Sequence, residues 1–381
     1  MSTTQNRTEQ NPRTKAPLRR FWQRVSDGLE LSELWGQFTT EARTGYSLYS
    51  REVDWEALAK EKGVRRGFKT VQAFFWALLM KLSPARRVLL LLALFLLVFG
   101  KIQVRTGETS GQLDLGAFGV VILLGLLALE LAERVTMKRD LEIARDIQRW
   151  LVPATPPAVP GCDIAFATRP ANTVAGDYYD AFFRETADGE RLLIVVGDVA
   201  GKSVPAALLM ATFQASLHAL ATEPSSLADL VAALNRYTCT RSLGGLRFTT
   251  AFLAELDPAT RKLTYICAGH NAPMLRHVSG ELACLDVGGV PLGIDTNARF
   301  EQAATTLAPG DLLLIYTDGL IEAVNDGGEE FGLSRVTEIL HAVPGESAAE
   351  TLNHVLNAVN TFAGRTPQHD DITCLLVRVL A

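Results

Sequence analysis

Acidic side chains stand where apolar runs of this sequence meet turns: "AGDYYD" (Asp177, Asp180), "LLIVVGDVAGK" (Asp198), "LLLIYTDGLIEA" (Asp318) and "HDDITCLL" (Asp370, Asp371). One aspartate beside a turn is ordinarily a turn former or a cap. Four such places call for another account. A carboxylate next to a run such as "LLIVV" is partly desolvated, and several converging carboxylates repel one another unless a hard cation neutralises them. Ligation by carboxylate, carbonyl and water oxygens is what Mg2+ or Mn2+ selects, and no histidine or thiolate cluster competes with that reading. At Asp198 the turn offers both a carboxylate and the Val199 carbonyl. Gly201 then lets the chain bend sharply into a helix whose N-terminal dipole favours a nearby anion.

The elements that carry these residues read as short strands and a few helices. Strands are predicted at 163–169, 191–198, 248–256, 262–269, 273–278, 311–318 and 371–379, with "LDPATRKL" as a hairpin turn. Helices are predicted at 203–221, 226–240, 334–342 and 347–362, the second and fourth opened by serine caps at Ser226 and Ser347. Most consecutive strands have no helix between them, which implies antiparallel sheets and an α+β fold, not a doubly wound one.

The 381 residues are 48% hydrophobic, high for a wholly soluble chain, and the formal charge of −5 with no basic stripe excludes a nucleic-acid partner. Five scattered cysteines (Cys162, Cys239, Cys267, Cys284, Cys374) suggest neither a disulfide framework nor a zinc site, and fit a reducing compartment. The first thirty residues lack the apolar core of a cleavable signal peptide. Two apolar runs, 88–100 and 115–129, reach spanning length as 85–104 and 113–132 if Arg86, Arg87, Lys101 and Glu130 lie near the interfaces. We read them as a two-helix membrane hairpin in contact with lipid, against the alternative of buried core helices. The excess of Lys and Arg outside the hairpin places both termini in the cytoplasm by the positive-inside rule.

The chain therefore divides into a partly disordered cytoplasmic segment (1–70), a membrane region (71–132), a helical linker (133–157) and a catalytic domain (158–381). Within the first two, 68–82 reads as an interfacial or an ordinary amphipathic helix. In the linker, Met137, Leu141, Ala144, Gln148 and Leu151 form a short heptad seam that could pair the 137–151 helix with its copy or pack it on the next domain. Pro153, Pro156 and Pro157 end it.

In order, "AGDYYD", "GDVAGKSVPAALLMA", "FTTAFLAELD", "AGHNAPMLR", "GGVPLGI", "YTDGLIEAVN" and "DDIT" resemble the metal-dependent type 2C (PPM) serine/threonine protein phosphatases, in the bacterial branch of the SpoIIE and RsbU regulators. The likeness covers residues from about 140 to the end, including "EIARDIQRWLVP", similar to that branch's regulatory helix. It implies an αββα sandwich with a site for two or more Mn2+ or Mg2+ ions. By motif, Asp198 would bridge two ions and the Val199 carbonyl would bind one. Asp318 and Asp370 would complete the other shell, and Asp177 would act directly or through water. Asp371 takes a place filled by asparagine or aspartate in the family, and Ala175 departs from a common glycine. Two such ions, about 3.5 to 4 Å apart, activate water without a protein nucleophile. Arg169 is a candidate phosphate ligand, Lys202 a substrate contact or a solvated turn residue, and His270 a general acid or, preferably, a structural brace. The implied protein is a phosphatase of the bacterial cytoplasmic membrane, multi-pass with its catalytic domain in the cytoplasm. Its substrate would be a phosphorylated regulatory protein such as an anti-sigma-factor antagonist. The alternatives are a catalytically silent scaffold of the same fold and a nucleotide hydrolase or cyclase, for which no nucleotide loop is present.

Overall fold

The computed structural model describes residues 64–106, 109–241, 247–342 and 347–380. The expected disorder of residues 1–70 falls almost wholly outside them. The chain divides into two compact units, Met1–Glu133 and Arg134–Ala381.

In the first unit, α1 (Val64–Lys81) is followed by α2 (Pro84–Phe99). Ser83 is extended and Pro84 opens the helix, the position where a missing N–H costs nothing. Gly100 ends α2, its N–H bonding the Leu96 carbonyl at 2.8 Å. A Cβ there would fall 2.1 Å from that oxygen. A hairpin of β1 (Lys101–Thr106) and β2 (Thr109–Asp114) follows, paired from Lys101↔Asp114 to Thr106↔Thr109. The expected first span, 85–104, is thus too long at its end, because Ile102, Val104 and Thr106 are β-branched and pair across the hairpin. The expected second span, 113–132, starts at Gly116 and continues, since α3 runs from Gly116 to Leu151 without a break. Gly119 meets Ala93, where an added Cβ would lie 2.7 Å from the Ala93 carbonyl.

α3 is long and apolar enough to cross a membrane, whereas α2, at 16 residues, spans about 24 Å, short of a hydrocarbon core of about 30 Å. Phe95, Val98, Phe118, Val121 and Leu124 are all more than half exposed. A face this apolar, left exposed among the described residues, suits lipid. At one end of the pair Arg86 bridges Glu133 at 2.6 Å and Glu130 at 3.5 Å.

In the second unit the strands are β3 (Cys162–Arg169), β4 (Asp177–Thr186), β5 (Gly189–Val199), β6 (Thr249–Leu256), β7 (Lys262–Ala268), β8 (Met274–Arg276), β9 (Leu282–Cys284), β10 (Gly288–Gly289), β11 (Ala303–Thr306), β12 (Leu312–Tyr316) and β13 (Ile372–Val379). The helices are α4 (Ser203–Ala221), α5 (Leu227–Arg241), α6 (Gly332–Ala342) and α7 (Ala348–Ala363), with a 3-10 turn at Asp318–Leu320. One sheet runs β10-β7-β6-β5-β4, with β11 also on β7, and the other runs β3-β13-β12-β8-β9. Ile194 and Val196 pack between the sheets with Leu313, Ile315 and Leu375. On the outer faces, Leu193 and Val195 meet α4 and α5, while Leu314 and Leu376 meet α6 and α7. The result is the expected αββα sandwich. β5 reads as a continuous apolar run because it is buried on both faces.

α7 is closed by a capping box, the Ser347 hydroxyl accepting from the Glu350 N–H at 3.2 Å and the Glu350 carboxylate from the Ser347 N–H at 2.9 Å. α4 passes the same length and composition test as α3, yet Met210, Phe213 and Leu217 bury one of its faces in the sandwich. β4 was not among the predicted strands. Its charges obscure the pattern, and two of them find partners that the fold brings near. Asp180 takes bonds from Tyr178 at 2.6 Å and His218 at 2.8 Å, and Arg184 bonds the Ser225 carbonyl.

The linker seam packs on its own domain toward its end. Gln148 Nε2 donates to the Ala175 carbonyl at 2.9 Å, and Gln148 Oε1 accepts from the Ala175 N–H at 3.0 Å. Ile143, Ile147 and Trp150, on another side of the helix, are exposed.

Candidate active site

Five aspartates meet at one end of the two sheets. The pairing of β4 with β5 sets Asp177 directly opposite Asp198. Asp318 opens the 3-10 turn after β12, and Asp370 and Asp371 precede β13, the strand beside β12. A bond joins the two sheets here: Thr317, fully buried, donates its hydroxyl to Asp177 Oδ2 at 2.9 Å. Asp371 spends both oxygens on backbone, accepting from the Ala171 and Gly176 N–H groups at 2.7 Å each. It thereby shapes the loop that delivers Asp177. Gln148 grips the same loop at Ala175 from outside.

These carboxylates crowd one another. Burial, then the neighbouring Asp198 and Asp371, hold the Asp177 carboxyl well above the usual carboxylate range. Asp198 is pushed up to about 7, first by burial and then by Asp318, Asp370 and Asp371. Burial raises Asp318 and Asp371 as well, with Asp370 adding to both. Each of these shifts reports negative charge short of compensation. Lys202 answers part of it, its Nζ lying 2.8 Å from Asp370 Oδ2 and 2.7 Å from the His369 carbonyl.

Tested against a divalent ion, the donor set fits: carboxylate and carbonyl oxygens, an excess of negative charge, and no thiolate or free imidazole among them. Among the described residues, no three His, Cys, Asp or Glu side chains close a ligand shell by themselves. The aspartates are gathered, and Asp370 is turned to Lys202.

The turn that presents Asp198 is strained in the expected place. Gly201 has φ 123°, and a Cβ there would strike Arg247 Nη1 at 2.5 Å, while Ser203 opens α4 with φ 62°. The Val199 carbonyl lies at this turn, directly after Asp198. Arg169, at the end of β3, bonds the Asn360 side chain and lines a cleft of about 210 Å3 with Lys202, Glu322, His369 and Asp370. His270 is buried, and its Nδ1 meets the Thr250 hydroxyl at 3.0 Å; Thr250 in turn pairs with Asp198 across β5 and β6. Burial pushes the imidazole down to about 4, partly offset by the Tyr316 carbonyl, so the ring is neutral near pH 7 and braces the strand behind Asp198.

Sequence reasoning missed Thr317, the Ala171 and Gly176 N–H groups, and the grip of Gln148. Thr317 had a signal in its place immediately before Asp318. The others had none, being backbone groups or a residue that fits a heptad equally well.

The family model described as Stage II sporulation protein E (SpoIIE) matches residues 188–380, half of the chain, and takes in Asp198, Asp318, Asp370 and Asp371 but not Asp177. Protein IcfG of Synechocystis is 28% identical over 278 residues, 66% of this chain and 43% of that protein. Phosphoserine phosphatase RsbU of Bacillus subtilis is 26% identical over 245 residues, 64% of this chain and 70% of that one. The chain thus spans less than half the length of the first of these curated relatives. Among solved structures, the SiaA-PP2C domain of Pseudomonas aeruginosa aligns with TM-score 0.56 at 24% identity, over 65% of this chain and 98% of that one. The RsbU and RsbW domains of Rv1364c from Mycobacterium tuberculosis align with TM-score 0.51 at 26% identity, over 60% of this chain and 64% of that one.

Proposed function

The chain belongs to the SpoIIE family, and on that premise we propose that it is a membrane-anchored, metal-dependent phosphatase acting on phosphoserine or phosphothreonine of a cytoplasmic regulatory protein. The observation that carries this reading is the gathering of Asp177, Asp198, Asp318, Asp370 and Asp371 at one end of the sheets, several with carboxyls raised by burial and mutual repulsion. Two or more Mn2+ or Mg2+ ions would be held by Asp198, the Val199 carbonyl, Asp318 and Asp370, with Asp177 acting directly or through water. Bound there, such ions supply the positive charge that acidifies water and offsets charge growing on phosphoryl oxygens.

The chain's own residues do the rest. Thr317 orients Asp177, Asp371 holds the 171–176 loop, and His270 fixes Thr250 behind Asp198. Arg169 and Lys202 flank the cleft on the side where a phosphorylated segment would enter. Among the described residues, no hydrogen bond joins a serine hydroxyl to a histidine or lysine that would make it a nucleophile, which suits direct attack by water.

RsbU bears the name phosphoserine phosphatase, and by analogy the substrate here is a small phosphorylated regulator of the anti-sigma-factor-antagonist kind. The basic flanks of the hairpin support a multi-pass protein of the bacterial cytoplasmic membrane with its catalytic unit in the cytoplasm. Pairing with a second copy through the 137–151 helix falls to the face of Ile143, Ile147 and Trp150, because Gln148 is engaged with Ala175.

The test is phosphate release from a phosphoserine peptide by the full chain in lipid. It should require Mn2+ or Mg2+, stop with chelator, and be lost in Asp198→Asn. A chain that binds metal and a phosphorylated partner but releases no phosphate would be a scaffold, and the proposal would be wrong.

A further inference from the structure

Among the described residues, the cation paired with one of the five carboxylates is a lysine of the chain itself. Lys202 Nζ sits 2.8 Å from Asp370 Oδ2 and 2.7 Å from the His369 carbonyl. Among the described residues, Asp370 is the one aspartate assigned to metal whose carboxylate is ion-paired to a lysine. The pair is also cheap to break. The Lys202 side chain is 55% exposed and that of Asp370 38%, so water and salt screen their attraction.

Gly201 and Ser203, on either side of Lys202, both have positive φ, and Lys202 itself is extended at the N-cap of α4 with no side-chain cap. Positive φ on a serine is a conformation the surroundings must enforce. Once released, the ammonium remains at the mouth of the cleft it lines with Arg169. Arg169 and Lys202 are thus both cationic side chains lining the cleft that a phosphorylated segment would enter.

Resting on the phosphatase reading above, we propose that Lys202 couples metal loading to substrate capture. In the metal-free chain it occupies Asp370 in place of an ion. A divalent ion displaces it, and the freed ammonium then binds the phosphoryl oxygens of the substrate. The coupling imposes an order of binding, metal before phosphoprotein, because the same side chain cannot serve Asp370 and the phosphate together.

The proposal predicts opposite changes in two measurements on the full chain in detergent. Mn2+ binding, titrated without substrate, should be roughly three- to tenfold tighter in Lys202→Met, the range expected on removing a part-exposed competing ion pair. At saturating Mn2+, the same variant should show KM for a phosphoserine peptide raised about tenfold with kcat changed much less, as a lost binding contact requires. In the Asp370→Asn background, Lys202→Met should no longer tighten Mn2+ binding, which separates occupation of Asp370 from general electrostatics. Unchanged or weaker Mn2+ binding in Lys202→Met overturns the proposal, as does an unchanged KM, or tightening that persists beside Asp370→Asn. If the unsubstituted chain binds Mn2+ and releases phosphate while these changes are absent, this inference alone falls. If it binds no Mn2+, the phosphatase reading falls with it.

Discussion

Asp198→Asn should make the metal-free protein more stable at neutral and alkaline pH while removing its activity. Burial, and after it crowding by Asp318, Asp370 and Asp371, pushes the Asp198 carboxyl up to about 7, against about 3.9 in an unfolded chain. A raised folded-state pKa means that between about pH 4 and pH 7 the folded protein holds a proton the unfolded chain has released. Stability therefore falls as pH rises through that window, and the full cost applies above it. Three units correspond to about 4 kcal/mol. The carboxylates share this cost and water reaches part of the side chain, so about 1–3 kcal/mol is the expected gain on replacing Asp198 by an amide. For a unit of this size that is roughly 3–9 °C in Tm. The assay is thermal or urea unfolding of chelator-treated wild type and variant near pH 5 and pH 8. The two should nearly coincide at the lower pH and separate at the higher, with Mn2+ restoring the wild type alone. A variant equally or less stable near pH 8 would show that Asp198 sits charged and at ease, and the argument from crowded carboxylates would be refuted.

Mn2+ affinity should climb steadily from about pH 6 to pH 8, because the Asp198 and Asp177 carboxyls must lose protons to bind a cation; a flat profile would mean the ligands are ionised beforehand. Gln148→Ala removes both hydrogen bonds to Ala175 and should cost about 1–2 kcal/mol of stability. It should also weaken Mn2+ binding severalfold through the 171–176 loop, and unaltered binding would confine Gln148 to packing. His270→Asn should lower Tm yet leave the shape of the kcat pH profile intact, since a neutral imidazole held down to about 4 donates no catalytic proton near pH 7. Disappearance of a pH limb in that variant would restore the general-acid role.

Some of this protein is written in short stretches of its sequence. "LLIVV" between turn residues reads as a strand and is buried on both faces here, and Ser347 with Glu350 announces the start of a helix through bonds three residues apart. The aspartates at strand ends are equally local, and their residue type alone points to a hard cation. β4 was not legible, because Asp180 and Arg184 look like surface charge until His218 and Ser225 arrive to satisfy them. The break at Gly100 was hidden because Ile102 and Val104 prolong the hydrophobic count of the run before it, although they belong to a strand. Nor could spacing tell whether Gln148 faces a second copy or its own domain.

What each carboxylate does was decided by the fold. Asp370 and Asp371 are neighbours with the same side chain, yet one is held by Lys202 and the other by two backbone N–H groups. Their donors lie some 170 to 200 residues away along the chain. Side-chain type and strand-end position are properties of a few adjacent residues, so the sequence settles them. Which oxygen meets which donor depends on segments that only the closed sandwich brings within 3 Å.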